Sequence, residues 1–343
     1  MKNRLFVLWF SVPAFLFFTA FSCSTGGDIQ QILGTSAEAP VFEDCRPISS
    51  TEIVFRFSLP VRVVSLDFDP ALEAESIEDG QEVKVTFAQP LEEGSKITAD
   101  ILVEDSDKNS LNVIVPFRAR NDRMPALVFN ELRTEYTKPK VEFMEFIVPE
   151  NGNLGAMRLF IAGYSLSKPV YEFQPAEVKA GEYLVLHLRS IEEGCVDETG
   201  QDLALSGGTE ASKDARDLWI SGSAKLFHKT DALWLMDQDD RIIDAVLLCE
   251  SPAAEWSAKD RNIAAAAEFL ARNGAWLPPS GETPDEDWIP GPTDAINSTG
   301  TTLTRTICRD ETLSAERRAA NWYITANSGA SPGKANNPKR YVQ

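Results

Sequence analysis

The chain has 343 residues, 33 basic and 52 acidic, a formal net charge of −19, with 43% hydrophobic and 25% charged residues. That length holds two or three domains, and that balance allows a buried core. A surface this acidic repels phosphate, which argues against nucleic-acid binding, and two histidines cannot supply a His-rich metal site.

The first 22 residues have the pattern of an export leader. Lys2 and Arg4 precede an apolar run from Leu5 to Phe21, broken only by Ser11, Pro13 and Thr19. The run is shorter than the ~20 residues of a membrane-spanning helix and suits a secretory apolar region. It stops at Ala20-Phe21-Ser22-Cys23, followed by Ser24-Thr25-Gly26-Gly27. This junction resembles a bacterial lipoprotein cleavage site, with Phe21 where a small residue is usual. The resemblance implies an acylated Cys23 and a lipid bilayer as partner, each buried CH₂ contributing ~0.8 kcal/mol. Loss of Lys2 and Arg4 with the leader takes the net charge from −19 to −21. Residues 23–39 are small and polar and read as a flexible tether.

Residues 40–121 read as a first β-sandwich. Short alternating segments run over 51–57, 61–68, 82–87, 97–103 and 111–115, with Ile53, Phe55 and Phe57 sharing one face. Turns are expected at Pro60, Asp79-Gly80, Pro90 and Gly94. Asp105, Asp107 and Asn109 stand at the first three ligand spacings of a calcium loop. Ser110 and Pro116 occupy the positions that need Gly and Glu, so the segment reads as a polar hairpin turn. Phe57-Ser58-Leu59-Pro60-Val61 and Asp105-Ser106-Asp107-Lys108-Asn109-Ser110-Leu111 resemble the strand and closing hairpin of bacterial Ig-like modules. Lys108 stands where those modules usually have Gly. The resemblance implies a spacer or presenting platform.

Residues 125–338 read as a second sandwich. Strand-like runs lie at 127–132, 141–147, 180–188, 229–237 and 241–246. Leu233 and Leu235 alternate with Trp234 and Met236, which predicts a strand covered on both sides. Residues 252–298 form an insertion between two late strands. Within it, 257–273 is helical, with Ile263, Ala266, Ala267, Phe269 and Leu270 on one side, Ser257 or Asp260 at its start and Gly274 at its end. Trp256, Trp276 and Trp288 lie in the insertion. They read as anchors on the sandwich, or as the face that a ligand would meet.

The second unit resembles the lamin tail domain, an Ig-like sandwich. Phe129-Asn130-Glu131-Leu132 is similar to its opening strand and Glu142-Phe143-Met144-Glu145-Phe146 to the next. Gly181 to Leu186 is similar to a Gly-Tyr-Leu-Val-Leu strand, and Asp231 to Asp244 to a conserved hairpin with Asp240 at the turn. Arg305, Trp322 and Ser331-Pro332-Gly333-Lys334-Ala335-Asn336 are similar to the family's ending. The family shares no catalytic residues, so the resemblance assigns none.

Cys45, Cys195, Cys249 and Cys308 remain beyond Cys23. Export permits disulfides, and Cys249 with Cys308 is the expected pair; buried free thiols are the alternative. No Cys/His metal spacing occurs. His187 and His228 lack a nucleophile elbow, and Gly329 to Ala335 is one residue short of a phosphate loop. The acidic clusters Glu192-Glu193 with Asp197-Glu198, and Asp285-Glu286-Asp287, read as solvated loops rather than calcium sites.

The expectation is an all-β chain of two Ig-like sandwiches, the second carrying a short helical insertion. It would be an exported, lipid-anchored protein of the bacterial envelope, placed at the outer membrane, without enzymatic activity or cofactor. The second unit would bind an envelope or host protein or a glycan and no nucleic acid. Alternatives are an accessory protein or hydrolase of the cell envelope, or a purely structural envelope component.

Overall fold

The computed structural model describes residues 38–313 and 316–342. The leader, Cys23 and the tether as far as residue 37 lie outside the described residues. Among those described, the chain is all-β apart from one α-helix and three short 3₁₀ turns.

The first unit comprises β1 (Phe42–Ser49), β2 (Glu52–Asp69), β3 (Ala74–Glu78), β4 (Gly80–Phe87), β5 (Lys96–Glu104) and β6 (Ser110–Arg118). Strand order is β3-β4-β2-β5-β6, with β1 also on β2. The expected turn at Pro60 is instead the middle of one long strand. The first half of β2 pairs with β1 and β4, and its second half with β5. The ladder to β4 breaks between Arg56 and Val61, so Pro60 sits where no partner needs its missing N–H. One strand thereby turns the corner between two layers. Ile53, Phe55 and Phe57 are fully buried, as their alternation predicts, and meet Val83, Val85, Ile101 and Val103 in a core of their own. β3 is an exposed edge studded with Glu75 and Glu78, which blunts it against further pairing.

In the β5–β6 hairpin, the Asp105 carboxylate accepts the N–H groups of Asp107 (2.8 Å) and Asn109 (2.9 Å) and the Asn109 side-chain amide (2.8 Å). These bonds, led by the Asn109 amide, hold that carboxyl below its usual range. Both oxygens are committed to closing the turn, as the polar-turn reading requires. Lys108 adopts φ +71°, the left-handed conformation that explains glycine at this place in similar hairpins.

The second unit has two main sheets. The first is built from β7 (Val128–Arg133), β8 (Phe143–Ile147), β13 (Tyr183–His187), β14 (Arg216–Trp219), β18 (Ile307–Arg309) and β19 (Trp322–Ile324), in the order β14-β13-β8-β7-β18-β19. The second is built from β10 (Arg158–Ile161), β11 (Tyr171–Glu172), β15 (Asp231–Met236), β16 (Ile242–Cys249) and β17 (Ile296–Asn297), in the order β11-β10-β15-β16-β17. β9 (Gly152–Asn153) and β12 (Glu177–Val178) form a small separate pair. The core between the sheets includes Phe129, Phe146, Leu184, Leu186, Leu233 and Leu235.

The insertion between β16 and β17 holds α1 (Arg261–Arg272), preceded by Asp260 and followed by Gly274 at φ +61°. Its buried side is Ile263, Ala266, Ala267 and Leu270. It covers the second sheet through Trp234, which stacks on Phe160 (5.2 Å between ring centroids) and leans on Phe269 of the helix (5.9 Å). All six residues of β15 are buried, so the strand is covered on both sides.

The two units are joined tightly. Gly94 and Gly155 approach backbone to backbone, and a Cβ on Gly94 would stand 2.3 Å from the Gly155 carbonyl carbon. Arg118 pairs with Glu172, and Arg123 bridges Glu93 (2.5 Å) and Glu177 (2.7 Å). Arg120 bonds both Asp239 oxygens at 3.2 Å, and the Asn121 amide donates to the Asn153 and Gly155 carbonyls at 2.8 Å.

Candidate functional site

Strand register alone assembles an unexpected polar row. Asp217, Val185, Glu145, Glu131, Cys308 and Tyr323 stand opposite one another in turn across β14, β13, β8, β7, β18 and β19. Paired residues share a face, and this face points away from the apolar core. Alternation would therefore expose Glu131 and Glu145 to water, yet both are 0% exposed.

What encloses them is the segment after β19. Glu131 accepts from Thr306 Oγ1 (2.5 Å), from Ser331 Oγ (3.1 Å) and, through both oxygens, from the Ser331 N–H (3.1 Å). Glu145 accepts from the Asn130 amide (2.8 Å) and the Gly333 N–H (2.5 Å). The Asn336 amide donates to Asn130 Oδ1 (2.8 Å) and to the Arg309 carbonyl (2.9 Å), and its N–H donates to Glu311 (3.0 Å). Gly333 sits at φ +77° with Ser212 and Ala215 within 3 Å of where a Cβ would be, so no larger residue fits. The loop 205–215 completes the roof: Glu210 accepts from Arg133 (2.7 and 2.8 Å), and the Ser212 N–H donates to Asp217 (2.6 Å). The pieces that carry the sequence resemblance, Asn130-Glu131, Glu145 and Ser331 to Asn336, thus converge on one buried network.

Burial pushes the Glu131 carboxyl above its usual range, and burial together with the Glu131 charge pushes Glu145 well above it. The folded state then holds protons that the unfolded chain has released, so stability falls as pH rises above the ordinary value of 4.5 toward the folded pKa values. Carboxyls held low, such as Glu177 beside Arg123 and Asp310 beside Thr312, titrate below this window. The melting temperature is expected to be higher at about pH 5.5 than at about pH 8. A thermal melt showing the reverse order would remove the buried pair as a determinant of stability.

A second buried group joins the sheets. Arg309 Nη2 meets Asp244 at 2.7 Å, its Nε donates to the Phe129 carbonyl (2.7 Å), and its guanidinium lies 4.7 Å over Trp322. Asp244 also accepts the Phe129 N–H (2.9 Å). Arg309 was not legible as a partner: Arg305, the residue similar to the family's ending, lies over Tyr341 instead.

The residues singled out by sequence fall in several places. Trp276 is 0% exposed and donates to the Asp294 carbonyl (3.1 Å), so it has no surface for a ligand and is an anchor. Trp256, half-buried, donates to the Pro290 carbonyl (2.9 Å), and Trp288 packs partly against the core. Cys249 and Cys308 are both free, which corrects the expected disulfide. They lie in opposite sheets, on β16 and β18; Cys308 sits in the polar row, and burial raises its thiol well above the usual value. Cys45 and Cys195 are free as well.

His187 is fully buried, bonded to Asp217 (2.6 Å) and stacked at 3.8 Å on Trp219. His228 is half-exposed beside Asp231. The Glu192–Glu198 cluster is not simply solvated. Glu192 accepts from Thr209, Asp197 from Tyr171 and Trp219, and buried Glu198 from Ser206 and Asp217, so these acids pin the loop. Asp285, Glu286 and Asp287 are exposed. Among the described residues no group of three or more His, Cys, Asp or Glu is placed to hold a metal ion, and no helix is long and apolar enough to cross a membrane.

A concavity lies between the units. It is a cleft of about 810 Å³ lined in part by Arg46, Arg118, Arg120, Arg158, Glu172 and Asp239, and its arginines are ion-paired: Arg46 with Asp44, Arg118 with Glu172, Arg120 with Asp122 and Asp239, and Arg158 with Asp240. Clefts at domain junctions are favoured ligand sites. No sequence signal marks this one, because its residues come from β1, β6, β10 and β11, from the turn after β15 and from the loops that hold Arg120 and Ala156.

Residues 125–324, more than half of the chain, match the family TP_1001_2nd, described as a protein second domain. An uncharacterized protein of Treponema pallidum (strain Nichols) is 27% identical over 220 residues, covering 61% of this chain. The match spans only 55% of that relative, so this chain corresponds to about half of its length. No solved structure matches. From Pro125 through β19 the chain therefore carries this second domain, and it belongs to the TP_1001_2nd family.

Proposed function

We propose that this is an exported protein held at a bacterial envelope membrane by an acylated Cys23. An Ig-like first unit carries a lamin-tail-like second unit that serves as a module for binding a protein or glycan. The observation that carries this reading is the convergence of Asn130, Glu131, Glu145, Ser331, Gly333 and Asn336 on one buried network. The residues behind the resemblance spend their polar atoms on one another. They close a sandwich rather than face a substrate, which suits a unit that presents surface. The tight junction of the two units supports a first unit acting as a fixed support for the second.

The test is metabolic labelling with a palmitate analogue, on wild type and Cys23→Ala, combined with protease treatment of intact cells. Label in wild type that disappears in Cys23→Ala is the expected result. Unlabelled wild-type protein would refute the anchor. Digestion of intact cells would direct the search to external partners, and protection to partners inside the envelope.

A further inference from the structure

Two carboxyls are shut inside the second unit without a counter-charge. Glu131 on β7 and Glu145 on β8 stand directly opposite each other in register, and both are 0% exposed. Among the described residues neither forms an ion pair, whereas Glu142 and Asp217, also buried in this unit, have Arg189 and His187 beside them at 2.6 Å. Residues 331–336 cover the pair, and the pair itself fastens them: the Ser331 N–H and hydroxyl donate to Glu131, and the Gly333 N–H donates to Glu145. Asn336 adds ties to Asn130, Glu311 and the Arg309 carbonyl. The flanks are held separately. The Gly329 and Ala330 N–H groups donate to the Thr304 carbonyl, and the Tyr323 hydroxyl donates to the Asn337 carbonyl (2.9 Å). The segment is thus a strap with fixed ends.

Like carboxylates opposite one another in a dry site cannot both ionise without cost. Glu131 accepts from Thr306 and Ser331 hydroxyls and, through both oxygens, from the Ser331 N–H; Glu145 accepts only from the Asn130 amide and the Gly333 N–H. Donors favour the charged form, so the charge sits on Glu131 and the proton on Glu145. Burial and the Glu131 charge together raise the Glu145 carboxyl well above its usual range. The neighbours do not relieve the pair. Arg133 gives Nη1 to Glu210 and the Val141 carbonyl, Glu311 adds a further negative charge, and Lys334 is exposed. Burial leads in raising Tyr183, Cys308 and Tyr323 above their usual values, so these stay protonated. His187 and Asp217 lie at the end of the polar row, bonded to each other.

We propose that residues 331–336 form a proton-gated latch. One proton on the Glu131–Glu145 pair keeps the strap closed, and its loss as pH rises lifts Ser331 and Gly333 off the sheet while the rest of the unit stays folded. The second charge has no cation to meet inside, so hydration of both carboxylates outweighs the few hydrogen bonds that fasten the strap. Lifting uncovers the polar row of β7, β8 and β18, so the surface that the second unit presents changes with pH. The latch needs neither the Cys23 anchor nor a partner.

The test is hydrogen exchange of the full-length protein in dodecyl maltoside micelles, read by mass spectrometry and corrected for the intrinsic rise of exchange with pH. Protection of residues 331–336 is expected to fall about tenfold per pH unit above about pH 5.5, the slope for one proton released on opening. At about pH 8 the strap should be at least about tenfold less protected than β16, which marks opening of the strap alone. Glu145→Gln leaves one charge in the site at every pH, and its strap should lose the slope. Because the slope is read and not the level, a general loss of stability in the variant does not imitate this result. Equal protection of the strap and β16 throughout, or a flat wild-type series, would overturn the latch. A slope that persists in Glu145→Gln would assign the effect to His187 and Asp217 and overturn it too. The readout does not involve Cys23, so the latch and the anchor stand or fall separately.

Discussion

Arg309→Ala is expected to destabilise the second unit by about 3–5 kcal/mol, the range for removing one partner of a buried ion pair. Arg309 and Asp244 are 4% and 3% exposed. Burial disfavours charge on both, lowering the arginine and raising the carboxyl, and each charge holds the other in place. Without the guanidinium, Asp244 keeps only main-chain donors, and the Phe129 carbonyl loses its Nε bond. Such a loss is a large share of the 5–15 kcal/mol that holds a typical domain together. The double variant Arg309→Met with Asp244→Asn removes both charges yet keeps an acceptor for the Phe129 N–H. It should recover more than half of the loss. Urea midpoints of the three proteins measure this, and a single-variant loss below about 1 kcal/mol would mean water reaches the pair.

Trp276→Ala should cost about 3–5 kcal/mol, as for other large aromatic truncations in cores. The indole is wholly enclosed, and its N–H closes on the Asp294 carbonyl at the far end of the insertion. Loss of that anchor should loosen residues 252–298, so hydrogen exchange there should rise more than in the first unit. Trp288→Ala, at a partly exposed position, should change stability far less. Equal effects of the two would mean the insertion is held elsewhere. A ligand lost in Trp276→Ala would report unfolding rather than a contact, unlike the ligand-facing role the residue type suggested.

Much of the fold is legible because period-two alternation reports directly which side chains enter a core. Ile53, Phe55 and Phe57 are the clearest case, and the two-sided apolar run at Leu233 to Met236 showed that its strand is covered on both sides. The continuity of β2 was hidden by Pro60, since a proline marks a turn and an unpaired strand position equally well. The roofed face was hidden for a different reason. Glu131 and Glu145 have the parity of solvent-facing strand residues, and their cover comes from positions 200 and 188 residues later. Cys249 and Cys308 stay free because the separate strands that hold them join opposite sheets, which no local pattern shows. The arginine cleft draws on several elements of both units, so no local pattern could show it.

The roof also sets a timetable. A chain made from its amino end exposes β7 and β8 long before Ser331 and Gly333 exist, and contacts this distant in sequence form slowly. Until they arrive, Glu131 and Glu145 stay hydrated and ionised, and their charges keep the sheet from settling. The second unit therefore cannot finish folding while its last stretch is still being synthesised. Late closure of this kind leaves the sheet open until the segment carrying Ser331 and Gly333 has been made.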